Sequence, residues 1–541
     1  MLNINRGKTR LLLGASTLLL ASTGAMAQTA QVEIAGGDVT NATGDSVQTQ
    51  DQANTNDILT TTNNTDIDVS TGDLLNSSAV IDAGRNTAAA VGNNAALAIS
   101  DTDSAATGTT SVLATVQTSI GASPITVVAD ANDTSINLFA TDVTGSSASV
   151  TNSADAATAT GNSATQSLTL SSTTLTLGTA VADADTVGTA TAADLDVSAA
   201  IAVGSLQANT NSVTRASNLS STLGLDADTV SGSALTLGTN TQESSATGST
   251  AANAIRLTGT TVGVGVAIAS QQDSDATSTV TGATTASASL TADAIVSGST
   301  ATVSGNRIQA RALTANTSNL LSVDATSMTL PAADTSLATT LGSTSGIVRG
   351  AFATVNDQSV ANTTTATVVQ ESVNLANSTS AAIDPVSGLI ISGDVSGGSA
   401  IANDANTISA RAQAAVTTNS TILAIDGTLG STTPAATGGV SNAAVIASTQ
   451  NVAGGANVLA STTGGYNYGT IATDISGLLD DSSVTTSSNR VQAIAEATNA
   501  TNALAVSATT LSAAASSANG AINASGVIGT DAVVNSAFAV A

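Results

Sequence analysis

The sequence predicts an all-β fold, an elongated parallel β-solenoid, on three observations. The chain is apolar without being bulky: hydrophobic residues make up 42% of its 541 positions and aromatic residues only 1%. Its local hydrophobic period is two. An eleven-residue phrase recurs, NRIQARALTAN from Asn306 to Asn316 and NRVQAIAEATN from Asn489 to Asn499.

A compact globule needs large side chains to fill its centre. A thin core between stacked, flat strands can instead be filled by Ala, Val, Ile, Leu and Thr. Disorder is the other composition that dispenses with aromatic residues, but disordered chains also lack branched aliphatics and are rich in Pro, Lys and Glu. This chain has 4 Pro and four Glu (Glu33, Glu243, Glu371 and Glu496). Alternation is direct in Val262, Val264, Val266 and Ile268, and in the pairs Leu168/Leu170 and Leu175/Leu177. Period two places one set of side chains on one sheet face, and Thr and Val favour strands. Gly-Ser, Asn-Asp, Thr-Gly and Gly-Gly pairs bend the chain between these runs. The alanine-rich segment 503–515 carries Ser and Thr interruptions that favour strand over helix.

The recurring phrase begins again at Asn406 as NTISARAQAA, and looser copies begin at Asn86, Asn152 and Asn253, with traces at Asn209, Asn362 and Asn442. Counting all nine from Asn86 to Asn489, the repeats average near 50 residues and are uneven, as loop insertions make a solenoid. An Asn followed by apolar-x-Ala-x-Ala describes a strand with small inward residues, closed by a second Asn at Asn316 or Asn499. Asn tolerates the left-handed conformation of a tight corner, and its amide can bond to the Asn of the next rung. With about 20 to 25 residues per turn, the chain would form roughly 20 to 25 rungs and a rod on the order of 100 Å long. Arg85, Arg307 and Arg490 adjoin phrase asparagines, and Arg311 and Arg411 follow on the same strands, either pairing with Asp between rungs or standing solvated.

Residues 1–27 read as a cleaved signal peptide: Arg6, Lys8 and Arg10 precede an apolar run at 11–21, and Ala25-Met26-Ala27 is a small-x-small cleavage site ending at Ala27. Residues 28–541 then form the repetitive region, with atypical caps expected at 28–78 and 500–541. Cleavage removes 3 of the 11 basic residues and leaves all 38 acidic ones, a net charge of 8 − 38 = −30. Such a surface repels phosphate backbones, so nucleic acid is not an expected partner. The chain has no Cys, hence no disulfide framework, thiolate metal site or lipidation cysteine.

Without His, Cys or a mature-chain Lys, the Ser-His-Asp, Cys-His, Ser-Lys and histidine-zinc arrangements are excluded. Paired carboxylates at Asp183/Asp185, Asp273/Asp275 or Asp480/Asp481 are the remaining route to glycoside cleavage. None has the basic and aromatic neighbours that hold a sugar, so no catalytic, metal or cofactor residue is assigned and the chain is not expected to be an enzyme. Of the 38 acidic residues 34 are Asp (38 − 4 Glu), yet neither the GGxGxDxUx repeat nor the DxDxDG loop occurs. Asp101/Asp103 and Asp183/Asp185 could each share a strand face, and turn formation is the commoner use of Asp. Tyr466 and Tyr468, in GGYNYG, make a small contact patch or fill a turn.

The signal peptide, the Ala/Ser/Thr/Asn/Val-rich strands and the Asn-x-[IV]-x-Ala-x-Ala phrases resemble the β-strand-repeat surface proteins of Gram-negative bacteria. Within these the chain looks most like the holdfast-anchoring (HfaD-type) proteins, which help fasten an adhesive polysaccharide to the cell envelope. It departs from autotransporters in ending SAFAVA, with Phe538 the only aromatic residue of that segment, where they end in an aromatic-girdled barrel strand. The resemblance implies an exported structural protein at the cell surface or outer membrane, acting in adhesion or anchoring, with envelope or secretion partners and an extracellular polysaccharide. The alternative is a self-assembling extracellular fibre or matrix subunit, and a carbohydrate-active solenoid ranks third.

Overall fold

The computed structural model describes residues 30–35, 38–177, 182–187, 194–262, 265–330, 340–341, 345–350, 352–369, 387–431, 444–452, 456–462, 471–512 and 528–536. The expected signal peptide with Ala27, and the Tyr466/Tyr468 pair, lie outside them. Every regular element among the described residues is a β-strand, including the alanine-rich run up to Ser512. The all-β parallel solenoid is what the composition and period predict.

Three parallel walls make up each coil. One is built from Arg85–Thr109, Ala154–Leu177, Thr241–Val262, Arg307–Leu330, Thr407–Ser431 and Arg490–Ser512, stacked in that order. The second is a narrow wall of five-residue strands, from Ser78–Asp82 to Ser483–Ser487. The third carries the rest, and Ile201–Ser231 crosses it as one 31-residue run. Inward positions alternate as expected: Ile308, Ala310 and Ala312, then Ile408, Ala410 and Ala412, are all buried.

The period differs from the expectation. Arg85, Ala154, Thr241, Arg307, Thr407 and Arg490 pair in succession. Residues stacked between these coils lie 69, 87, 66, 100 and 83 positions apart. The mean is (490 − 85)/5 = 81 residues. Rungs of 20 to 25 residues and a repeat near 50 are thus replaced by six wide coils, whose five spacings at about 4.8 Å give a stack about 24 Å high. The physical reason is that a coil has several corners and only some carry Asn, so counting Asn phrases samples different corners.

Register also sorts the phrase copies. Those at Asn306, Asn406 and Asn489 are true equivalents. Asn86 pairs with Asp155, two residues past the corner, and Asn152 precedes it by one. Asn253 pairs with Asn319 and belongs to another column. Asn316 and Asn499 occupy one column, separated by Val416 of the coil between them.

A fourth sheet, antiparallel, was not foreseen. Three antiparallel hairpins, Ala30–Ala35/Asp38–Thr43, Ala182–Val187/Asp194–Ala199 and Thr340–Leu341/Ser345–Gly350, join into one six-stranded sheet. It covers the outer face of the third wall, burying Val32, Ile34, Leu195 and Val197 against Val112, Ala202, Ala267 and Val355. Strands Val266–Ser274 and Phe352–Val360 are consequently buried at all nine of their positions. Inside the coils lie two apolar clusters, one around Leu138, Leu225, Leu290 and Ile308 and one around Leu168, Ile255, Ile268 and Phe352.

Asn152 itself takes the left-handed conformation at the phrase corner (φ 54°), but at Asn306, Asn406 and Asn489 the asparagine does not. The residue before it does: Gly305 (φ 69°), Ala405 (φ 56°) and Ser488 (φ 55°). For Ala405 this backbone is strained by roughly 1–2 kcal/mol. Ala405→Gly is therefore expected to stabilise the protein by about 1 kcal/mol, read as a rise in denaturant midpoint. A close approach governs another position. A Cβ on Gly161 would lie 2.5 Å from the Gly248 carbonyl oxygen of the next coil. Gly161→Ala is expected to lower stability by about 2 kcal/mol in the same assay.

Candidate functional site

The polar residues that distinguish this chain are organised as ladders running across the coils. At the phrase corner, the backbone N–H of Asn306 donates to Asn406 Oδ1 (3.0 Å), and that of Asn406 donates to Asn489 Oδ1 (2.8 Å). Their side-chain Nδ2 groups donate to the same oxygens at 3.1 and 3.2 Å. Asn240 enters the ladder above Asn306 (3.0 Å). The other end of the narrow wall carries a serine ladder: the N–H groups of Ser146, Ser233, Ser299 and Ser399 donate to the hydroxyls of Ser233, Ser299, Ser399 and Ser482. Each corner thus satisfies a backbone donor with the side chain of the next coil.

Between the two apolar clusters lies a buried amide seam. Gln117, Gln207, Gln272, Gln358 and Gln450 each donate Nε2–H to the Oε1 of the preceding Gln, starting at Gln52, at 2.7–2.8 Å. Beside it Asn253, Asn319 and Asn419 donate to Asn319, Asn419 and Asn502 at 2.9, 2.8 and 2.9 Å. The hydroxyls of Ser270 and Ser448 bridge this column. In low dielectric, aligned amides strengthen one another, and an unpaired one is expensive. Sequence reasoning missed the glutamine ladder. Its signal is the return of a Gln at intervals of 65, 90, 65, 86 and 92 residues.

Of the predicted carboxylate pairs, Asp273/Asp275 does not converge. Asp480 and Asp481 are both exposed. Asp275 is held by Thr277, Ser278 and the N–H of Asn211, which together keep its carboxyl below the usual range despite partial burial. Asp273 points elsewhere and is buried, and burial pushes its carboxyl up to about 7 against the Nε2–H of Gln271 (2.8 Å). Its close neighbour is Asp357, whose carboxyl burial and the Asp273 charge drive well above the usual range. Asp183, Asp185 and Asp103 lie on strands, but their side chains are outside the described set; Asp101 is exposed. Among the described residues no group of three or more His, Cys, Asp or Glu side chains forms a metal cluster.

Arg411 pairs with Glu496 of the next coil at 3.3 Å, a partly exposed contact contributing at most about 1 kcal/mol, rather than with an Asp. Arg307 donates to Gln309. Where the long strands of the first wall end, an open depression of about 360 Å³ is lined by Ser171, Thr258, Thr260, Asp324, Thr326 and Asp426. Its hydroxyls and two carboxylates offer donors and acceptors suited to sugar hydroxyl groups. No helix among the described residues is long and apolar enough to cross a membrane. Searches of family models, curated proteins and solved structures find no match to this chain.

Proposed function

We propose that this is an exported structural surface protein that acts in adhesion, or in anchoring an adhesive polysaccharide to the envelope of a Gram-negative bacterium. The observation that supports it most is the continuity of the glutamine ladder through all six coils, from Gln52 to Gln450. A stack whose coils are tied by buried amides as well as by backbone pairing resists separation, which suits a mechanical role. The hydroxyl and carboxylate depression supplies a contact for a neutral glycan. Its partners would be envelope or secretion proteins together with that polysaccharide. In a deletion strain, cells or adhesive material should detach under flow, and protease shaving of intact wild-type cells should release fragments of the chain. Unchanged attachment in the deletion strain would sink the proposal.

A fibre or matrix subunit is the second reading, favoured by strand Ser483–Ser487 in the last coil, exposed at all five positions. An exposed edge strand can pair with another chain. Sedimentation of the purified mature protein distinguishes the two readings: a monomer stable over days counts against the fibre.

A further inference from the structure

The outer face of the third wall changes character along its strands. Ala267 and Ala269, and Ala353 and Val355, pack under the antiparallel sheet. Two residues further along each strand, the same face presents Gln271 and Asp273, and Asp357, because successive same-face positions in a strand are two apart. Register places Gln271, Asp357 and Thr449 side by side in three consecutive coils, with Asp273 diagonal to Asp357. All four are buried, and Gln271, Asp357 and Thr449 are each 0% exposed.

What they leave unpaired is uniform in chemistry. Both carboxylate oxygens of Asp357, Oδ1 of Asp273, Oε1 of Gln271 and Oγ1 of Thr449 have no hydrogen-bond partner among the described residues. Gln271 is oriented by its Nε2–H bond to Asp273 Oδ2, which leaves its carbonyl oxygen as the free atom. No arginine forms an ion pair with either carboxylate among the described residues. Other unpartnered atoms, such as Gln166 Oε1, Asn218 Oδ1 and Gln242 Oε1, are scattered through the interior, whereas here five oxygens, three of them from carboxylates, fall in one patch and call for an occupant. Two carboxylates, an amide carbonyl and a hydroxyl make an all-oxygen donor set with a formal charge of −2, matching a hard divalent cation.

We propose that Asp273 and Asp357, with Gln271 Oε1 and Thr449 Oγ1, form a buried calcium site that pins three consecutive coils under the antiparallel sheet. Calcium accepts six to eight oxygens in flexible geometry, so five protein oxygens and water would complete it, whereas magnesium demands a near-ideal octahedron. The chain leaves the site through 275–277, which are partly or fully exposed.

The test is isothermal titration and thermal melting of the full mature chain after chelation. Calcium should bind with one high-affinity site per chain. At a hundredfold excess over Kd it should raise Tm by about 3 °C for a chain of this length, with magnesium giving less. Asp357→Asn and Asp273→Asn remove charge without changing shape, so both should fold without metal, show unchanged far-ultraviolet circular dichroism, and lose the titration and the shift. Asp101→Asn, at an exposed site, should keep both. No calcium response in the wild type, or an equal response in Asp357→Asn, overturns the proposal. A response to protons alone, with Tm rising on acidification and indifferent to calcium, overturns it as well and assigns the pair a shared proton.

Discussion

Gln272→Ala is expected to destabilise the protein by about 4 kcal/mol, the largest effect of any single ladder substitution. Gln272 sits mid-ladder. Its Nε2 donates to Gln207 Oε1 (2.7 Å) and to the Asn316 carbonyl (2.8 Å). Its Oε1 accepts from Thr317 Oγ1 (2.7 Å) and Gln358 Nε2 (2.8 Å). Truncation strips Gln207 Oε1 of its donor and Thr317 Oγ1 of its acceptor in a dry interior and opens a void, while Gln358 keeps the Val416 carbonyl; orphaned polar groups account for more of the loss than the lost bonds themselves. Gln272→Glu should be no milder at neutral pH: a carboxylate can accept from Thr317 and Gln358 but faces the Gln207 and Asn316 oxygens without a donor, and buries a charge. Gln52→Ala, at the end of the ladder and partly exposed, should lose about 1 kcal/mol or less. Guanidinium unfolding followed by far-ultraviolet circular dichroism measures all three. Equal midpoint shifts for Gln272→Ala and Gln52→Ala would show that the ladder does not act as a connected unit.

Asp155→Asn is expected to flatten the pH dependence of stability between about pH 4 and pH 7. Burial pushes the Asp155 carboxyl from 3.8 up to about 6, against the stabilising hydrogen bond from Ser221. The folded state therefore holds its proton more tightly than the unfolded chain. That contribution is fully present below pH 3.8 and is lost as pH rises through about 6. A rise of about two units corresponds to about 3 kcal/mol at pH 8, which the amide variant should recover. The measurement is the Tm difference between variant and wild type from pH 4 to pH 8, in chelator. Other buried acids shift in the same direction, and the difference cancels them. Parallel curves would mean that Asp155 ionises without penalty.

The strand period and the Asn-x-Ile-x-Ala-x-Ala phrase were legible because they are local. Ile308, Ala310 and Ala312 face inward as alternation requires. The corner was legible too, but not which residue takes its strain: any chain composed of Ser, Ala, Gly and Asn offers several candidates, and Ala405 and Ser488 take it beside the ladder asparagines. Asn253 was misplaced because one Asn looks like another until register pairs it with Asn319. The carboxylate pairs suffered the same fate. Asp273 and Asp275 are neighbours in sequence, yet Asp273 shares its environment with Asp357, 84 residues away (357 − 273), because coil stacking rather than sequence sets the distance.

Composition and period alone point to an all-β class, to an interior of small residues, and to Asn at recurrent corners. These depend on composition and on a period of two, which any stretch of strand reveals. Only the tertiary structure decided the length of a coil, the glutamine seam, the antiparallel cover and the burial of Asp273 with Asp357. Each of these joins residues tens of positions apart, and the insertions that make the spacing uneven leave no local trace of which residues will meet.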